Sequence, residues 1–323
     1  MREQTVGEIS EAALLARILD VLAGSSQALV GPGDDAAVLA APGERMVVTT
    51  DTLVHGPDFR LAWSTGRELG GKAAAVNLAD VAAMGARPTA LIVALAVPGR
   101  TPVPFVTELA AGLREACDDL APGCAVEGGD LTISDTLTIA VTALGVLDGR
   151  EPVLRSGARA GDVVAVAGEL GRAARGLRVL FDRCRTDAGE PVPVDRAHLN
   201  ASEIADVAAQ LCPRPPIAHG ARAAQAGATA MMDVSDGLVL DARRMADASG
   251  VTIDITGVDD PVDLTGGEDH ALLATFPVGA VPSGFRPIGA VHTRGQAAVT
   301  VAGARYDGLG GWDPYQDWDA QRG

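Results

Sequence analysis

NLADVAAMGA (Asn77–Ala86) closes a long alanine-rich stretch, and the rest of the chain is best read outward from it. From Ser64 to Met84 the residues are mostly Ala, Val, Leu and Gly, with Gly85 as a stop signal, so the spacing predicts a long helix buried on most of its sides. In the middle of it stands Asp80. Aspartate is a poor helix former, and a buried, unpaired carboxylate costs several kcal/mol. Asp80 therefore calls for a cation or strong donors. The ordinary alternative is a satisfied cap or a buried salt bridge.

Four more aspartate-bearing turns flank this helix: GPGDDAAV (Gly31–Val38), TTDTL (Thr49–Leu53), EGGDLT (Glu127–Thr132) and MDVSDG (Met232–Gly237). Each sets Asp beside Gly, Ser, Thr or Asn at or near the end of an apolar run. Any one of them alone reads as turn or cap chemistry. Together they read differently, because capping does not require so many small residues around each acid. Carboxylates collected from several loops suit Mg²⁺ ions held against a polyphosphate. In the first turn the glycines allow close backbone approach, and Asp34 and Asp35 point to opposite sides of a strand entry. Thr49, Thr50 and Asp51 offer hydroxyl, carbonyl and carboxylate oxygens at the end of a strand over Met46–Val48. Asp130 follows Gly128 and Gly129 after a strand, where backbone N–H groups and an acid can meet one phosphate and its metal. Asp233 and Asp236 flank Ser235 at a strand-to-helix turn opened by Gly237. A further acidic turn, Thr265–Asp269, carries Glu268.

The 323 residues suffice for two domains with their own cores. A net charge of −16 disfavours nucleic acid as a partner. Phosphorylated small molecules would be repelled too, unless metal ions invert the local field. Cys117, Cys124, Cys184 and Cys212 form no C-x-x-C pair and suit a reducing cytoplasm. The polar start of the chain is unlike a signal peptide, and the longest apolar run, Ala90–Val97, is too short to cross a bilayer. A cytoplasmic protein without membrane partners is expected. Gly66–Lys72 matches G-x-x-x-x-G-K, but Ala73 stands where a P-loop needs Ser or Thr. It reads as the start of an ordinary helix. Lys72 is the only lysine in the chain, so no second one is available for a phosphate clamp.

Apolar periodicity places a helix after Ser10 and strands at Ala36–Leu39, Met46–Thr50, Leu91–Val97 and Leu137–Leu147, with a helix over Pro104–Leu120. A break near Gly149–Gly161 divides the chain into an N-terminal domain (1–148) and a C-terminal α/β domain (149–323). The second domain begins with a strand at Asp162–Ala167. It continues through helices at Gly171–Asp182, Ala201–Leu211, Ile217–Ala226 and Gly237–Ser249. Its later strands are Thr229–Met232, Val251–Ile255, His270–Phe276, Phe285–Ala290 and Ala297–Val301. Thr186–Val194, polar and proline-bearing, reads as a mobile loop. The fold class is α+β.

In family order, GxGDDAA, TTDTLV, AVNLADVAAMGA, GGDLT, LRSGARAGD, DVSDGL and GGEDHAL resemble the thiamine-monophosphate kinase family, within the ATP-binding superfamily that includes aminoimidazole ribonucleotide synthetase. The resemblance spans essentially the whole chain. It implies two α/β domains, the N-terminal sheet pairing across a homodimer, and an enzyme that uses ATP and several Mg²⁺ ions to convert thiamine monophosphate to thiamine diphosphate. By motif position Asp34, Asp35, Thr49, Thr50, Asp51, Asp80, Asp130, Asp233 and Asp236 would be metal ligands, with Asp51, Asp130 and Asp236 catalytic. Gly128, Gly129, Arg155 and Ser235 would lie along ATP. Glu268 would face the thiamine portion, with an aromatic from Trp312–Trp318, best Tyr315, against its ring.

The chain departs from the family pattern at Asp58-Phe59, where the family often has His before Phe. The substrate contact there falls to Asp58 or to the displaced His55, or both belong to a surface loop. The acceptor is already an oxyanion, so direct in-line transfer needs no strong base. Competing readings are another superfamily enzyme of the aminoimidazole ribonucleotide synthetase type, a metal-dependent phosphatase and a non-catalytic nucleotide sensor. The first cysteine, Cys117, comes late for selenophosphate synthetase chemistry. The end Gln321-Arg322-Gly323 lacks the cysteine of a hydrogenase-maturation dehydratase.

Overall fold

A computed structural model describes residues 4–9, 11–26, 45–308 and 310–312. Asp34, Asp35, Tyr315 and the strand expected at Ala36–Leu39 lie outside them. The described elements are α1 (Glu11–Leu22), β1 (Met46–Val54), α2 (Gly66–Ala83), β2 (Arg87–Val97), α3 (Val103–Leu120), β3 (Ala125–Ile133) and β4 (Thr138–Val146). They continue with β5 (Val163–Ala167), α4 (Arg172–Arg183), α5 (Ala201–Leu211), α6 (Ile217–Gln225), β6 (Ala230–Val234), α7 (Leu238–Ser249) and β7 (Val251–Ile255). Last come α8 (Pro261–Thr265), β8 (Ala271–Phe276), β9 (Arg286–Thr293), β10 (Val299–Val301) and β11 (Ala304–Arg305). This is a mixed α/β fold, as expected.

Two sheets organise the chain. Residues 46–146 form one in the order β1-β4-β2-β3, and residues 163–305 form another in the order β11-β10-β7-β9-β5-β8-β6. In the first, Leu91, Val93, Leu95 and Val97 of β2 and Ile139, Val141 and Ala143 of β4 point into a core shared with α2 and α3. The opposite face carries small and apolar residues, with Val48 and Met46 exposed.

α2 lies between the sheets, packing on β1 and β4 and also on α6 and β6. This is why it is apolar nearly all round: both sides are inside. Thr65 caps it, accepting from the Glu68 N–H (3.2 Å) while the Glu68 carboxylate accepts from the Thr65 N–H (3.0 Å). The glycines of the P-loop-like stretch serve helix packing. A Cβ on Gly70 would stand 2.0 Å from the Leu109 carbonyl oxygen of α3, so only glycine lets the two backbones approach this closely.

Three local expectations are corrected. Gly128-Gly129-Asp130 is not a turn: β3 runs through it, with a bulge at Glu127 where the pairing with β2 jumps from Leu91–Val126 to Ile92–Gly128. Asp80 sits in the last turn of α2, not its middle. The loop 186–194 is tied down, with the Val192 N–H on the Cys184 carbonyl (2.9 Å), the Thr186 N–H on the Glu190 carbonyl (2.8 Å) and Val194 against the cluster of Trp63, Leu180 and Val207.

Candidate active site

The site is built on two turns at neighbouring strand ends. β6 and β8 pair antiparallel, and the ladder continues past them: the His270 N–H bonds the Val234 carbonyl (2.9 Å) and the Glu268 N–H bonds the Ser235 carbonyl (2.7 Å). Glu268 and His270 adopt φ of 69° and 50°, a left-handed conformation that non-glycine residues rarely take. Gly237 has φ of 128°, and a side chain there would also meet the carbonyl oxygen of Thr265 at 2.8 Å. Beneath the turn, the buried Asp241 carboxylate accepts from the N–H groups of Asp236 (3.0 Å) and Gly237 (3.2 Å). Burial first, then the charge of Asp233, pushes its pKa up to about 7. Arg244 bridges Asp241 (2.7 Å) and Asp236 (2.6 Å).

Facing these turns across the groove between the sheets are β1 and the end of α2. Thr49 Oγ1 donates to the Asp80 carboxylate (3.0 Å). Burial, then the charges of Asp233 and Asp51, lifts the Asp80 pKa to about 6. Its place in the last helical turn compounds the problem, since the free carbonyls there also repel an anion. Burial likewise raises Asp51, with Glu268 and Asp233 adding repulsion. Asp233, buried in β6, has His270 Nδ1 at 3.2 Å. Burial alone would make His270 a weaker base, but Asp233 and Glu268 outweigh it and its pKa rises. His270 Nε2 is buried without a hydrogen-bond partner.

Asp51, Asp80 and Asp233 therefore crowd negative charge together, with the His270 ring against Asp233. Their hard oxygen donors fit Mg²⁺. Among the described residues no three His, Cys, Asp or Glu side chains form a finished metal cage. Such a set suits an ion whose shell is completed by phosphate oxygens, the usual way Mg²⁺ is held beside nucleotides.

Beside this zone opens a cavity of about 390 Å³, lined by Asp58, Lys72, Ser235, Glu268 and Trp312. Apolar and aromatic residues line it too, among them Phe59, Trp63, Leu177 and Phe181. There the Arg60 guanidinium stacks over Trp63 and Phe181, 5.0 and 5.3 Å from the ring centroids. Asp58 accepts from the Val54 N–H (2.7 Å); burial, opposed by that hydrogen bond and helped by the like charge of Glu268, leaves its pKa raised. His55 packs against Phe59, ring centroids 5.7 Å apart, and does not line the cavity.

Other expected site residues lie elsewhere. Asp130 is exposed on β3, at the sheet edge opposite β1, in the cross-strand row Thr52–Ala140–Ala94–Asp130. Thr50 and Gly128 share its face, in the row Thr50–Thr142–Ile92–Gly128. Gly129 belongs to the row of Asp51. Arg155 is exposed beside the outer edge of β6, next to Leu154, whose carbonyl accepts from the Met231 N–H (3.0 Å). Asp236 turns to Arg244. Sequence reasoning passed over His270, Asp241 and Lys72. Lys72 left one signal, the chain's lone lysine at the start of an alanine-rich run.

The fold and this acid-walled groove define the class. Residues 33–147 match the model for the AIR synthase related protein, N-terminal domain. The chain is 43% identical to thiamine-monophosphate kinase of Mycobacterium tuberculosis over 98% of its own length and 95% of the relative's. It is 42% identical to the Corynebacterium glutamicum enzyme of that name, over 92% and 91%. A solved ThiL structure complexed with AMPPCP and TMP superposes with a TM-score of 0.73 at 30% identity, covering 97% of this chain and 98% of that one. The chain belongs to the thiamine-monophosphate kinase family.

Proposed function

We propose that this chain transfers the γ-phosphoryl group of ATP to thiamine monophosphate, giving thiamine diphosphate and ADP. The observation that carries the reading is the cavity's position. A pocket with two carboxylates, Asp58 and Glu268, and an aromatic wall opens beside the zone of Asp51, Asp80 and Asp233. The thiazolium ring cation suits the carboxylates, and the pyrimidine ring suits Trp312 or the aromatic wall. The substrate's phosphate then points to the acid zone.

Asp51, Asp80 and Asp233, with Thr49, would hold Mg²⁺; the ions supply charge neutralisation for two polyphosphate groups that a −16 chain would otherwise repel. Asp34, Asp35, Thr50, Asp130 and Asp236 are proposed as further ligands, and Gly128, Gly129, Arg155 and Ser235 as the nucleotide track. The residues' task is positioning. Acceptor and donor are brought in line, and no side chain need remove a proton from an acceptor that is already an oxyanion. His270 steadies Asp233 from behind, and Asp241 fixes the turn carrying Ser235 and Asp236.

We also infer a cytoplasmic homodimer of two-domain protomers (1–148 and 149–323), paired through the open face of the four-stranded sheet. The exposed Val48 and Met46 support that face. No described helix is long and apolar enough to cross a membrane. A partner laid there would carry its own Asp130 and Gly128, which share that face, toward β1, while Gly129 stands on the face of Asp51.

Phosphorus NMR of the protein with ATP, Mg²⁺ and thiamine monophosphate tests the reaction. Thiamine diphosphate appearing with equimolar ADP is expected. Phosphate release without that product would point to a phosphatase or another superfamily reaction, and nucleotide binding without turnover to a sensor.

A further inference from the structure

Lys72, the chain's only lysine, is 2% exposed, on a helix whose other buried residues are Gly, Ala, Val, Leu and Asn77. Its ammonium group pairs with the Glu268 carboxylate and lies 3.4 Å from the Asp58 carbonyl oxygen and 3.5 Å from that of Gln210. These acceptors come from the β1–α2 connection, the end of α5 and the Glu268 turn. A buried ammonium is costly unless paired, and this one is paired with one edge of the cavity floor. Lys72 grips the buried Oε2 of Glu268, while 40% of the side chain's surface stays exposed and lines the cavity.

Asp51, Asp58 and His270 also act on Glu268. Burial would push its pKa up, but Lys72 and then His270 hold it below the usual carboxylate range. Asp58 and Glu268 give the cavity two carboxylates beside the one ammonium of Lys72. Arg60, stacked over Trp63 and Phe181, and Arg178 also line the cavity.

The geometry points to Lys72 as a positioning residue that acts through Glu268, aiming its carboxylate into the cavity where it meets the ring cation of the substrate. This rests on the reading that the cavity takes the thiamine portion. Lysine suits the task better than arginine. The ammonium is compact, and α2 leaves no spare room here: a Cβ on neighbouring Gly71 would stand 2.5 Å from Cys212 Sγ.

The test is steady-state kinetics on the full-length protein for Glu268→Gln, Lys72→Met and the double variant. Lys72→Met should raise KM for thiamine monophosphate about tenfold, with KM for ATP and kcat changed less than about threefold. The double variant should match Glu268→Gln, because a residue acting only through Glu268 has nothing left to act on. If Lys72→Met fails to fold, that comparison still decides. A double variant weaker than Glu268→Gln by more than about threefold, or a Lys72→Met enzyme with normal KM, overturns the role of Lys72. An unchanged KM in Glu268→Gln overturns instead the reading of the cavity as the thiamine site.

Discussion

Asp51 and Asp130 leave the four-stranded sheet from opposite edges and opposite faces. Asp51 lies in the row Asp51–Val141–Val93–Gly129, and Asp130 in the adjacent row Thr52–Ala140–Ala94–Asp130. Adjacent rows point to opposite faces. Three strand spacings of about 4.8 Å also separate the two edges. One protomer does not bring these carboxylates onto a shared ion; the proposed dimer is the arrangement that would have to do so.

Asp51→Asn and Asp130→Asn are each expected to lower kcat at least about a hundredfold with the fold intact. Mixed after unfolding and refolding together, the two inactive proteins should recover about a quarter of wild-type activity. Half the random pairs would then hold one site with both native acids. No recovery in verified mixed dimers would place both carboxylates in the site of a single chain.

Asp80 is held against its own electrostatics, ionised in a helix's last turn beside Asp51 and Asp233. Asp80→Asn should therefore raise the melting temperature in metal-free buffer at neutral pH while lowering kcat at least about a hundredfold. Wild type should gain thermal stability from Mg²⁺ with ADP, and the variant much less. Differential scanning fluorimetry with and without chelator measures both effects. A lower metal-free melting point in the variant would show that Asp80 is already satisfied by the protein.

Asp58 and His55 separate cleanly in space, since one lines the cavity and the other rests on Phe59. Asp58→Asn should raise KM for thiamine monophosphate about five- to tenfold. His55→Ala should leave it within about twofold. The reverse pattern in initial-rate kinetics would move the substrate to the outer side of the loop.

Asp269 accepts the N–H groups of Gly171 (2.5 Å) and Ala173 (2.9 Å) at the start of α4, yet burial pushes its pKa up to about 6 from an ordinary 3.8. The folded state thus binds the proton more tightly than the unfolded chain does. This group's contribution is full below about pH 4 and is lost as pH rises toward 6. Asp269→Asn should remove that slope, so melting temperatures of wild type and variant should diverge in the variant's favour between pH 4 and pH 6. Parallel melting curves would show that the two N–H bonds fully offset burial.

Most secondary structure was legible because the apolar spacing is strong. The helix at Ala201–Leu211 and the strand at Val251–Ile255 fall on their expected residues. The β3 bulge was not legible. One extra residue at Glu127 inverts the face of everything after it, and a period-two pattern carries no mark of such a slip until the partner strand is known. The Gly66–Lys72 stretch was rightly rejected as a P-loop, yet Lys72 went unassigned because its partners lie far along the chain.

The sequence by itself determined the inventory: an acid-rich, lysine-poor chain whose small-residue turns present carboxylates, in an order diagnostic of its family. Those properties are local, fixed by residue type and by neighbours a few positions away. Only the tertiary structure decided which acids meet. Asp51, Asp80 and Asp233 converge because α2 wedges between two sheets, while Asp236 is taken by Arg244 and Asp130 faces away. Charge–charge energies depend on separation and burial, and both are set by packing between elements remote in sequence.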